Sequence, residues 1–272
     1  MDPATAAFWR AASATRGSAP TPQEVARTMG LQARLVQEGL WDDAAVFLFV
    51  EATGTTARPF GGWTTNTMTL IGAPAWVPGG GLDFDGTNDY ATVSLPGWNS
   101  QTAVTNLARI VPDNPAQADS TNLRIFSWGN FSLNRFYGTS SPTSALSNEV
   151  WTSVARIDGQ NQVRYLGVDA ADLAWTAGED FVATTALTTS GVSLWKGTAS
   201  IPYQLEDAMT PSTDVTPAAI NWAANELVYM GASFISSPVV GYDGELKVWA
   251  VLKAELTTSQ REWLTAWTED WP

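Results

Sequence analysis

The chain has 272 residues, 44% of them apolar, enough for the core of one large domain. It contains neither cysteine nor histidine, which excludes disulfides, zinc sites of the usual ligand types, and Ser-His-Asp or Cys-His catalysis. The formal net charge of −13 opposes binding to nucleic acid or an anionic membrane, and since 21 acidic and 9 basic residues (−12) lie beyond position 60, the excess belongs to the main body.

The opening MDPATAAFWRAASATRGSAP lacks the basic and continuous apolar regions of a secretory signal, and no run approaches ~18 apolar residues. Synthesis in a cytoplasm without membrane insertion is expected. Within residues 1 to 20, Phe8 and Trp9 stand together among small side chains. Two readings stay open: an extended, disordered arm, or an anchoring peptide whose aromatic pair inserts into a partner surface. A helix follows. Thr21, Pro22 and Glu24 supply its N-cap, first-turn proline and capping box, and Gly39 ends it. Val25, Met29, Val36 and Leu40 recur near helical spacing, an apolar stripe that wants a partner. After Trp41, the run Val46 to Val50 reads equally as a buried strand or the end of a helical hairpin.

From about residue 60, short apolar or alternating runs are separated by Gly, Pro, Asn, Asp and Ser. Candidate strands lie at 68–72, 82–84, 90–93, 102–111, 123–128, 131–136, 150–157, 162–168, 192–197, 226–232 and 245–256. With no long helix between them, they predict an antiparallel sandwich or jelly roll. In the last strand Leu246, Val248, Ala250 and Leu252 alternate with Lys247, Trp249, Val251 and Lys253, which predicts one core face and one mixed face. A terminal helix capped by Thr257 and Gln260 is expected to lay Trp263, Leu264 and Trp267 on the sandwich.

The stretch GLDFDGTNDYATV (81–93) has Leu82 and Phe84 on one side, Asp83 and Asp85 on the other, and turn chemistry from Gly86 to Asp89. It predicts a hairpin. An EF-hand fails, because counting from Asp83 the sixth and twelfth positions are Asn88 and Ser94. A looser Ca2+ site using Asp85 and Asp89 stays open.

Catalysis is the minority reading. The acidic pairs Glu179–Asp180 and Glu206–Asp207 are adjacent in sequence and so face opposite sides of a strand, and no P-loop, dinucleotide fingerprint or nucleophile elbow occurs. Fourteen tryptophans suit sugar stacking, though most belong to the core. Glycan-binding candidates are aromatic residues beside turn residues: Trp98 with Asn99, Trp128, Tyr137 and Trp222. Without histidine, binding is expected to vary little between about pH 6 and pH 8.

GLDFDGTNDYATV together with YDGELKVWAVLKAELTTSQREWL resembles the two end signatures of concanavalin A-like, laminin G-like jelly rolls. The arrangement from residue 22 to 93, with Gly39, Leu40 and Trp41, then Ala73 to Trp76, Gly81, Phe84, Gly86 and Tyr90, is similar to virion structural proteins of tailed bacteriophages and phage-derived gene transfer agents. The resemblance implies a mainly-β fold: an extended arm (1–20), a helical attachment segment (21–60), a jelly-roll sandwich (61–272) and a short C-terminal helix. It further implies a non-catalytic spike or fibre subunit, made in a bacterial cytoplasm, oligomeric on a phage-like particle and bound to host surface polysaccharide. Docking to other virion subunits would fall to Phe8, Trp9, Met29, Val36 and Trp41. A glycoside hydrolase on the same glycans, or a decoration protein that only pads a lattice, are the alternatives.

Overall fold

The computed structural model describes residues 1–97, 101–113, 124–130, 135–140, 149–156, 163–169, 177–188, 191–197, 199–201, 225–234 and 238–272. A helix begins almost at once. The Asp2 side chain accepts from the Ala4 and Thr5 amides, both at 3.0 Å, Pro3 fills the first turn and Gly17 closes it, giving α1 (Pro3–Arg16). This corrects the extended arm expected for residues 1–20. A capped, alanine-rich segment becomes helical when its aromatic side has a surface to cover. Phe8 and Trp9 form that side, 7% and 2% exposed, and they lie in the chain's own core instead of anchoring it to a partner.

α2 (Pro22–Gln37) carries the expected capping box: the Glu24 amide donates to Thr21 Oγ1 at 3.2 Å and the Thr21 amide to Glu24 Oε2 at 2.6 Å. Gly39, at φ 70°, lets the Leu40 amide reach the Leu35 carbonyl at 2.8 Å. The buried face differs from the expected stripe. It consists of Glu24, Thr28, Leu31 and Leu35, whereas Met29 and Val36 are exposed. Thr28 is drawn inward because its Oγ1 accepts the Trp9 indole N–H at 2.9 Å. Trp41 sits in a short 3-10 turn (Trp41–Asp43), half-buried with its ring edge-on to Phe60 at 5.3 Å.

The strands are β1 (Ala44–Phe47), β2 (Thr56–Ala57), β3 (Pro59–Phe60), β4 (Met68–Ile71), β5 (Ala75–Trp76), β6 (Leu82–Asp85), β7 (Tyr90–Pro96), β8 (Val104–Pro112), β9 (Arg124–Asn130), β10 (Arg135–Ser140), β11 (Glu149–Arg156), β12 (Val163–Asp169), β13 (Phe181–Thr188), β14 (Gly191–Lys196), β15 (Ala199–Ile201), β16 (Asn225–Met230), β17 (Ala232–Phe234), β18 (Pro238–Val240) and β19 (Asp243–Leu252), followed by α3 (Thr258–Glu269). Two antiparallel sheets form the expected mainly-β sandwich. One runs β15-β14-β13-β8-β19-β1-β3, with β6 also paired to β19 and β5 to β6; the other runs β12-β11-β10-β9-β16-β7-β4-β2. Residues 44–60, read as part of a helical segment, supply the first three strands. The two inner faces meet around Phe47, Phe84, Phe126, Trp128, Val228 and Trp249. The outer face of the first sheet packs under the helices through Val46, Phe60, Leu107, Val182 and Val248.

Two local expectations are revised. In β19 the pairing with β8 slips between Leu246 and Val248, so Lys247 is an extra residue. The bulge reverses the alternation: Leu246, Trp249 and Val251 enter the sandwich core, while Val248, Ala250 and Leu252 meet the helices. Both faces are therefore buried from Val248 onward. The stretch 81–93 is a connection between sheets and not a hairpin, since β6 pairs with β19 and β7 pairs with β16 and β4. Its turn chemistry holds. Asp85 Oδ1 accepts from the amides of Thr87, Asn88 and Asp89 at 2.8, 3.0 and 3.2 Å, which lowers its pKa.

Candidate functional site

On the outer face of the first sheet, the strand positions change character toward β14. Leu107 and Val182 give way to Thr105, Ala186, Thr188 and Ser193, with Trp195 beside them. Cross-strand pairing aligns them: Thr105 opposes Ala186, and Ala186 opposes Ser193. The N-terminal end of α3 lies beside this polar floor. Its spacing puts Arg261, Leu264, Thr265 and Thr268 on the buried side, positions i, i+3, i+4 and i+7 of one face. Between floor and helix is a cavity of about 300 Å³, walled by Glu255, Leu256, Thr257, Thr258 and Arg261.

Arg261 is the unusual member. It is 9% exposed, its guanidinium carbon stands 4.3 Å from the Trp195 ring centroid, and it has no hydrogen-bond acceptor or ion-pair partner among the described residues. Burial holds its pKa below the ordinary guanidinium value, opposed by the field of Glu262. The Oγ1 atoms of Thr184 and Thr265 nearby are also buried without partners. Buried donors left unmade cost stability, and of these three residues Arg261 is the one that lines the cavity and could offer its unpaired Nε to a ligand.

A second cavity, about 270 Å³, lies between the helical layer and the segment after β5. Trp76, Arg16, Glu24 and Glu51 line it. Glu51 is 4% exposed; burial pushes its carboxyl up despite the Arg58 amide at 3.2 Å. For Glu24 burial pulls the same way, but the Thr21 amide and Arg16, at 2.5 Å, outweigh it and lower the pKa.

No protein-family model matches the chain, and no curated protein matches its sequence. Solved structures do. A Trypanosoma rangeli sialidase in complex with the inhibitor DANA is similar over 81% of this chain and 32% of its own, at 12% identity and a TM-score of 0.54. A receptor binding domain is similar over 85% and 52%, at 9% identity and 0.57. The binding domain of botulinum neurotoxin DC, in complex with rat synaptotagmin II, is similar over 84% and 52%, at 11% identity and 0.54. The chain thus spans a third to a half of these proteins, and identities this low establish a shared sandwich fold alone.

The cavity under α3 contains none of the glycan-binding, docking or metal candidates named from sequence. Trp128 is fully buried in the sandwich core, its ring 5.2 Å from Phe126, and so cannot stack on a sugar. Tyr137 lies within β10, its backbone paired to Trp128 on β9 and Ala155 on β11, and not in a loop. Trp98, Asn99 and Trp222 fall outside the described residues. For Asp85 and Asp89, among the described residues no group of three or more metal-ligating side chains converges, and Asp85 is committed to its turn. Among the described residues, no helix is long and apolar enough to cross a membrane. Trp195 and Arg261 were passed over because each sits inside a regular element. Ser193–Trp195 on one strand face, and Arg261 on the inner side of an amphipathic helix, were the signals available.

Proposed function

We propose that this protein binds a polysaccharide in the cavity under α3, and does so without catalysis as a spike or fibre subunit of a phage-like particle. The cavity supports the binding half: strand positions carrying Thr188 and Ser193, and an arginine stacked on a tryptophan with its Nε unpaired, suit the polar substituents of a sugar. The particle role draws on the sequence resemblance of residues 22–93. With Phe8 and Trp9 committed to the core, attachment falls to the outer side of α2, where Met29 and Val36 are 38% and 56% exposed.

Binding of the purified protein to polysaccharide from candidate host cells, with and without Ca2+, tests the first half while reducing ends are assayed in the same mixtures. Saturable binding without cleavage is expected; its absence on every host glycan overturns the reading. For attachment, Met29→Glu with Val36→Glu should release the protein from particles, and retention overturns that half. Hydrolysis is the second reading, favoured by one observation: two carboxylates, Glu51 and Glu24, line the Trp76 cavity together, with Glu24 held by Arg16 and the Thr21 amide. Reducing-end release abolished by Glu51→Gln would establish it.

A further inference from the structure

We propose that the sugar bound under α3 is acidic, its carboxylate held by Arg261 at the N-terminal end of the helix. The inference rests on the glycan-binding reading and narrows the ligand's chemistry. Three independent features converge. Arg261 is 9% exposed, lines the cavity, has no hydrogen-bond acceptor or ion-pair partner among the described residues, and its Nε is buried without a partner. One face of Trp195 is already covered by that guanidinium at 4.3 Å, so what the floor offers a ligand is a stacked cation rather than a bare ring. Thr258 opens a 12-residue helix and lines the same cavity, and the first-turn amides of Thr258 and Ser259 have no intrahelical acceptor. A planar carboxylate matches a guanidinium edge better than any neutral sugar group does.

The opposing charges are weaker. Among the described residues Glu255 is the one acid lining the cavity, and it is exposed; Glu262 adds its field at Arg261 without pairing to it. The net charge of −13 slows the approach of an anion, but it is screened beyond ~8 Å at physiological salt, so the local pair sets affinity. The hydroxyl of Ser193 lines the same cavity, and a cavity near the small end of ligand sites suits a terminal or single residue of a chain.

The test is equilibrium binding of the wild-type protein to polygalacturonate, alginate, hyaluronate and polysialic acid, each before and after reduction of its carboxyls to primary alcohols, with host polysaccharide alongside. At least one acidic polymer is expected to bind ~10-fold or more tightly than its reduced form, with affinity falling as salt rises. Arg261→Gln should erase that difference while Arg261→Lys keeps part of it. Equal binding of acidic and reduced polymers overturns the inference and leaves the glycan reading standing. Discrimination surviving in Arg261→Gln overturns the role of Arg261, and no binding to any polymer or host glycan overturns both. The comparison of ligands on wild-type protein decides the matter even if a variant fails to fold.

Discussion

The same outer sheet face is covered twice, and the two covers are finished differently. Over β1, β3 and the end of β19, α1 and α2 pack Phe8, Trp9, Leu31 and Leu35 against Val46, Phe60 and Val248; Trp9 pairs with Thr28 and Thr5 with Gln32 at 3.0 Å, while Arg27 Nη1 and Arg34 Nε stay buried without partners among the described residues. Over β8, β13 and β14, α3 leaves a cavity and strands Arg261, Thr184 and Thr265 without acceptors. Both covers leave buried donors unmade, and the difference is one of place: Arg261 lines a cavity under α3, whereas Arg27 and Arg34 line neither cavity.

The largest effect should come from the first cover. Trp9→Ala removes a side chain 2% exposed and leaves Thr28 without its donor, so it should cost about 3 to 5 kcal/mol in urea unfolding with glycan affinity unchanged in the remaining folded protein. A tenfold loss of affinity at little cost in stability would break the division between the covers. The opposite sign is expected under α3. Thr184→Val or Thr265→Val replaces a partnerless buried hydroxyl by a methyl of the same shape and should stabilise by about 1 kcal/mol. A destabilised variant would mean the hydroxyl is already satisfied, by a buried water for example.

What held α3 in place despite those vacancies was not legible. Arg109 donates from Nε and Nη2 to Asp180 at 2.8 and 2.9 Å and from Nη1 to the carbonyls of Thr268, at 3.2 Å, and Trp271, while Lys247 reaches Asp180 at 2.7 Å. Sequence alone reads Glu179–Asp180 only as adjacent acids that would face opposite sides of a strand. The strand after it, β13, went unrecognised because Phe181–Thr188 is buried throughout and shows no polar alternation, only a threonine-rich run. The sandwich itself was legible because strands such as β7 do alternate, with Ala91, Val93 and Leu95 inward. Capping signals were local and held at Thr21, Gly39 and Thr257. Pairing was not local: nothing within GLDFDGTNDYATV says that β6 and β7 join different sheets, and nothing within β19 marks the bulge at Lys247. The site failed for the same reason, since Trp195 and Arg261 lie far apart in sequence and meet only through packing.

Asp180→Asn should loosen the helix that roofs the cavity, costing about 1 kcal/mol at neutral pH for a partly exposed pair. Burial works to raise the Asp180 pKa, but the hydrogen bonds and charges of Arg109 and Lys247 outweigh it and the carboxyl ends below its ordinary value. Its contribution is therefore present above the ordinary carboxylate pKa and lost as the pH falls through the lowered one. Wild type and variant should converge in strong acid. A gap that persists there would assign the clamp to packing.

A buried carboxyl lines the cavity beside α1 and α2, and it yields the smallest and most pH-specific effect. Glu51 is buried at 4% exposure and its carboxyl is raised, chiefly by burial, while the Arg58 amide and the Arg58 charge work to lower it. A raised pKa means the folded state holds the proton more tightly than the unfolded chain. The stability this gives is full below the ordinary glutamate value and lost as the pH rises through the folded one. Glu51→Gln keeps an acceptor for the Arg58 amide without a charge to desolvate, so it should stabilise by roughly 0.5 kcal/mol at pH 7 and by nothing in acid. Destabilisation at neutral pH would mean the ionised carboxylate has a partner worth more than its burial costs.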